Sequence, residues 1–221
     1  MPMALRWLSV VLIHSTLVAA ATAQGAGTPA LSRAQALQAL EQPAPAARRA
    51  GVERLAEIGT MKDADQVAMR LHDPDEQVRE VATTSLWQIW SRSGDKAVDA
   101  DYQKGVLLME AGRIGEGLAV FSAIIKKRPE FAEAWNKRAT LYFLVGEFEL
   151  SLKDCDEVMK RNPHHFGALS GYGQIYLQMG DLERSLGYFE RALKVNPGLA
   201  GVAVTIQALQ RRLGNKRRST I

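Results

Sequence analysis

Apolar residues recur along this chain at steps of three and four, and alternating apolar and polar positions are scarce. From residue 98 to residue 197 the pattern itself repeats. Pro129, Pro163 and Pro197 stand 34 residues apart, as do Gly112, Gly146 and Gly180, and as do Phe121, Cys155 and Phe189. A fixed period of this size marks a stack of like supersecondary units. Apolar steps of three and four predict helices. Each period holds two of them: 98–111 with 115–127, 132–145 with 148–161, and 166–179 with 182–195. The glycine column falls where the first helix stops and the chain reverses. The proline column follows the second helix, which proline cannot continue. Small residues on the first helices (Gly105, Ala139, Gly173) and on the second (Gly117, Ser151, Ser185) allow close approach, with Phe121 and Phe189 filling the space between units. Cys155, in a column otherwise held by phenylalanine, reads as a buried structural thiol.

A weaker repeat precedes this one. Sliding the region from 32 to 95 by 31 residues superposes Gln35 on Gln66, Leu40 on Leu71, Pro43 on Pro74, Arg48 on Arg79, Leu55 on Leu86 and Ile58 on Ile89. Two helices per unit follow, at 32–41 with 45–58 and at 63–72 with 75–92. Ser32 and Asp63 stand at N-cap positions, and Gly59 and Gly94 follow helix ends. Trp87 and Trp90 share a face of the last helix and are expected to pack at its junction with the following array. At the other end, Val202, Ile206, Leu209 and Leu213 line one face of a helix at 199–213 that would cover the last unit, with Gly214 ending it.

The 34-residue units resemble the tetratricopeptide repeat, whose signature runs Trp-x2-Leu-Gly-x2-Tyr, Ala-x3-Phe, Pro. The third unit keeps Gly173, Tyr176, Phe189, Ala192 and Pro197; the second keeps Trp135, Tyr142 and Pro163; the first has Asp101 in the Trp position. The stretch from Asp73-Pro74-Asp75 through Arg79, Val81-Ala82 and Leu86 resembles a HEAT repeat of the short, phycobilin-lyase type, and Ala47 to Gly59 is similar to it. The two resemblances imply an all-α, right-handed α-solenoid: a HEAT-like pair at 32–96, three tetratricopeptide units at 97–197 and a capping helix at 198–213.

Composition narrows the chemistry. Apolar residues make up 47% and charged residues 24%, as in an ordinary folded protein, and a net charge of +4 does not by itself imply nucleic acid. The single cysteine excludes an intrachain disulfide. His164 and His165 fall together in a loop between units and read as solvated, since no further metal ligands accompany them. No paired carboxylates, phosphate loop or nucleophile–base arrangement is evident, so neither enzymatic activity nor a cofactor is expected. At the start, Arg6, the apolar run from Trp7 to Ala20 and Ala21-Thr22-Ala23 read as a signal peptide over 1–23, followed by a linker at 24–31. The expected location is periplasmic or secreted. The tail at 214–221 carries Lys216, Arg217 and Arg218 without a carboxylate, which suits a solvated cap or weak contact with an anionic membrane surface. Nucleic acid is disfavoured by the absence of an aromatic platform in the tail.

In the family that the array resembles, the first helices line a concave face. The resemblance places Tyr102, Val106, Met109, Asn136, Thr140, Phe143, Ser170, Gln174 and Gln178 toward that groove, with Arg211 nearby. This mixed, nearly uncharged lining suits a peptide or partner helix held by apolar anchors and amide hydrogen bonds. Some members of the family clamp acidic C-terminal peptides with Lys and Asn side chains. Here the first two clamp positions hold Tyr102 and Val106, and no basic pair lines the third unit's first helix. An adaptor or scaffold is therefore expected, with a chaperone or accessory subunit presenting a client as the alternative.

Overall fold

Gly112, Gly146 and Gly180 adopt φ values of 69°, 80° and 81°, a left-handed region that side chains avoid. Each closes the first helix of a pair and lets the chain double back. The computed structural model describes residues 30–218, and every regular element in that span is helical. The expected signal peptide lies outside the described residues. In chain order the α-helices are α1 (Arg33–Ala39), α2 (Pro45–Ile58), α3 (Ala64–Met69), α4 (Glu76–Trp90), α5 (Lys96–Glu110), α6 (Ile114–Lys127), α7 (Ala132–Leu144), α8 (Phe148–Arg161), α9 (Phe166–Gln178), α10 (Leu182–Val195) and α11 (Ala200–Arg218).

The three pairs α5–α6, α7–α8 and α9–α10 are the 34-residue units, and their small residues do what close packing requires. A Cβ on Gly173 would lie 2.7 Å from the Phe189 ring, so only glycine lets α10 approach α9 this closely. Ser151 donates its hydroxyl to the Ala139 carbonyl at 2.7 Å, and Ser185 donates to Gly173 at 2.8 Å. Serine thus ties α8 and α10 to the backbone of α7 and α9, whereas α6 carries Gly117 in the same column. Cys155 is buried, and burial pushes its thiol up to about 12, far from a reactive thiolate.

Helix α11 covers the last pair, with Val202, Ile206, Leu209 and Leu213 buried against Leu182 and Phe189. It does not stop at Gly214 as expected but runs on to Arg218. Gly214 does not take a positive φ. A glycine ends a helix by adopting that left-handed turn, and without it merely weakens the helix by about 1 kcal/mol.

The N-terminal helices share a core in which Val52, Leu55, Val67, Leu71, Ala82, Leu86 and Ile89 are fully buried, and Phe166 of α9 packs into it. Ser32 and Gln35 form a capping box at the start of α1. The expected helix at 63–72 is shorter, because 3-10 turns at Met61–Asp63 and Arg70–His72 flank α3. The 31-residue repeat has a physical basis. Arg48 donates to the carbonyls of Gln42 and Pro43, and Arg79 donates to those of Asp73 and Pro74, its counterparts one period on. Arg48 also grips Asp73 through two bonds of 2.7 and 2.6 Å, pinning the first unit to the turn of the second.

This unit does not merely extend the row. Helix α4 lies across the beginning of α9 and the turn between α10 and α11: Trp87 and Trp90 meet Phe166, and Thr83 is bonded to Asn196, 113 residues further on. The two tryptophans do pack between the N-terminal unit and the array, but on Lys137 of the second pair and on His165 and Phe166 at the start of the third.

Candidate partner-binding groove

The first helices of the pairs place their side chains in rows at the 34-residue period. Val106, Thr140 and Gln174 form one row; Met109, Phe143, Leu177 and Arg211 form another. Val106, Met109, Thr140, Phe143, Ser170 and Gln174 are all partly exposed, and Gln178 and Arg211 are exposed. Phe143 leans on Phe148 with ring centroids 5.9 Å apart, while Thr140 and Ser170 return their hydroxyls to carbonyls four residues back. The accessible surface is thus made of apolar edges and amide groups. It carries Arg211 and Arg212 toward the α11 end and Glu110 toward the α5 end.

Tyr102 and Asn136 lie deeper than a groove lining would require, 3% and 9% exposed. Both turn to Glu133, a carboxylate absent from the sequence-derived set. The Tyr102 hydroxyl donates to Glu133 Oε1 at 3.4 Å, and Asn136 Nδ2 donates to the same oxygen at 3.0 Å. His165 Nδ1 accepts the Ala168 N–H at 3.0 Å, which puts the ring proton on Nε2, facing Glu133 Oε2 at 2.8 Å. Lys137 supplies the positive charge at 3.3 Å. Burial alone would push Glu133 up; Lys137 and the bonds from His165 and Asn136 outweigh it and bring the carboxyl down to about 2. Burial, followed by the charge of Glu133, holds the Tyr102 hydroxyl well above its usual range. His165, expected in solvent, is fully buried because α4 lies over it, while its neighbour His164 stays exposed.

A signal for Glu133 was present in the rows: Asp99, Glu133 and Gly167 keep the 34-residue interval, one turn before Tyr102, Asn136 and Ser170. The roof of Trp87 and Trp90 had no such signal, since it depends on how α4 folds back. On another face, a cleft of about 450 Å³ is lined by Trp135, Arg138, Tyr142, Lys153 and Asp154 among others. Its groups are already engaged: Arg138 grips Asp154 at 2.7 and 2.8 Å, and Trp135 lies within 5.0 Å of both Arg138 and Arg161 guanidinium carbons. Among the described residues no group of three or more His, Cys, Asp or Glu side chains gathers as a metal site would require, and no helix is long and apolar enough to cross a membrane.

Residues 102–159 and 166–199 each match a family described as tetratricopeptide repeat. A TPR repeat-containing protein of Rhizobium etli is 32% identical over 69 residues, covering 31% of this chain and 34% of that protein. The match therefore spans about a third of the relative. Among solved structures, the first TPR of Spaghetti (RPAP3) bound to HSP90 peptide SRMEEVD aligns at TM-score 0.51 and 20% identity, covering 53% of this chain and 93% of that one. The Sgt2 TPR domain of Aspergillus fumigatus aligns at 0.53 and 15%, covering 56% and 83%. The MamA protein aligns at 0.51 and 15%, covering 72% and 88%. At these identities the likeness is one of fold.

Proposed function

We propose, from the premise that residues 102–199 are an array of tetratricopeptide repeats, that this chain is a non-enzymatic adaptor holding a segment of another protein against α5, α7, α9 and α11. The observation that carries the reading is the pair of half-exposed rows through Val106, Thr140 and Gln174 and through Met109 and Phe143, left open beside α4. Apolar edges supply burial, and amides and hydroxyls supply register. That is how a groove holds a peptide or helix.

The charge pattern argues against an acidic C-terminal peptide of the kind bound by one structural neighbour. The first two positions where the resemblance would put a basic clamp hold Tyr102 and Val106, α9 carries no Lys or Arg, and Tyr102 is already committed to Glu133. The preferred segment is apolar, with little net charge. In this reading residues 32–96 are two HEAT-like units, an assignment supported by the matched bonds of Arg48 and Arg79. Residues 1–23 direct export, so the partner is an envelope or extracellular protein.

Phe143→Glu puts a charge on the apolar row without touching the buried network. Affinity purification from the native host should lose the co-purifying partner with this variant, while circular dichroism and melting temperature stay within the range of the parent. A partner retained in full would move the site off these rows.

A further inference from the structure

Helix α4 is held on the repeats by one strip of side chains. Trp87 meets His165 and Phe166 edge-on, with ring centroids 5.4 and 5.3 Å apart. Trp90 lies nearly flat on His165 at 4.5 Å and 22°, and leans on Phe166 at 5.0 Å. Lys137 Nζ stands 5.8 Å from the Trp87 ring, at cation–π range. Asn196 Nδ2 donates to the Thr83 hydroxyl at 3.1 Å. Gly167 completes the fit, because a Cβ there would lie 2.4 Å from the Trp87 ring. The start of α9 is therefore a cup shaped for two indoles one helical turn apart.

The occupant's remaining contacts are mostly with its own unit. Val78, Ala82, Leu86 and Ile89 of α4 are fully buried, and the last three belong to a core built chiefly by α1 to α4, which the array enters through Phe166, with Val195 and Leu199 at its edge. The unit is joined to the array through a turn at Gly94, whose φ is 81° and whose Cβ position is open. An element whose core comes chiefly from its own unit, with one strip of docking side chains centred on Phe166 and a glycine turn, has the build of a tethered ligand. Interfaces between units of one chain are often of this modest kind.

We infer that the cup at the start of α9 is a receptor for a helix carrying two aromatic side chains one turn apart, that α4 is its tethered occupant, and that a partner helix of the same chemistry competes for the place. This surface is distinct from the open rows through Thr140 and Phe143, so the two readings fail separately. Tethering gives α4 a millimolar effective concentration at the cup, so a free helix binds well only when the tethered indoles are removed.

The test uses the full chain and a fluorescent synthetic peptide of residues 75–92, followed by anisotropy. The parent chain should bind it weakly. The W87A/W90A variant should bind it about 100-fold more tightly. Adding Gly167→Val should remove that gain, because the branched side chain fills the cup. The same peptide with both tryptophans replaced by alanine should bind neither chain. Trp90 also touches the N-terminal core, so Trp87→Ala is run alone beside the double variant, with a gain of roughly tenfold expected. No gain in either variant, a gain that survives Gly167→Val, or equal binding of an acidic peptide without aromatics would overturn the inference.

Discussion

Glu133 has almost no contact with water, so its neighbours decide its charge. Lys137, His165 and Asn136 hold it ionised with a carboxyl near 2, against an ordinary value of 4.5. A carboxyl depressed on folding stabilises the folded state fully above its unfolded value. That contribution is lost as pH falls from about 4.5 toward 2, and a shift of this size corresponds to roughly 3 kcal/mol. Glu133→Gln should melt at a lower temperature at pH 7, because Lys137 and His165 lose their anionic partner. It should also lose less of its melting temperature between pH 5 and pH 2.5 than the parent does. Parallel acid curves for the two proteins would show that Glu133 does not set this dependence. Sequence alone does not single the residue out, because a glutamate in the first turn of a helix is ordinarily solvated. Only its company with Tyr102 and His165, 31 and 32 residues away, makes it a buried centre.

At the scale of the helix pair, sequence and structure agree most closely. Glycine and proline columns at a fixed period state where each helix stops, and α5 to α10 begin and end within one or two residues of the expected bounds, the largest difference being at the start of α5. The serine and glycine columns state which faces meet. Gly173→Leu places side-chain atoms where the Phe189 ring already sits, 2.7 Å from the Cβ position, and should cost about 1–3 kcal/mol by overpacking. Gly187 offers the opposite case. It is inside α10 with nothing within 4 Å of its Cβ position, so Gly187→Ala should stabilise by about 0.5–1 kcal/mol through helix propensity alone. Thermal melts of the two variants read both signs; equal effects would break the assignment of these faces. Elements without a repeated neighbour were less legible. Gly214 looked like a stop but sits inside α11, and the stretch around α3 divides into short helical turns that apolar spacing does not distinguish from one helix.

Across the whole molecule, the array could be read from periodicity and the facing of its first helices from the family resemblance, whereas the position of the N-terminal unit could not be read at all. Apolar spacing says that α4 buries one face; it does not say that Trp87 and Trp90 will cross to His165 and Phe166. That contact is long in sequence and has no periodic counterpart. It divides the surface of α7 and α9 into a part covered by α4 and a part left open along Thr140, Phe143 and Gln174, and the open part is where we propose that a partner binds. A photo-crosslinking residue at Gln174, compared in the native host with the same residue at Lys153 on the cleft of the other face, tests this division directly. The account predicts one defined crosslinked protein from position 174, abolished by Phe143→Glu, and none from position 153. The same adducts from both positions, unaffected by Phe143→Glu, would contradict it.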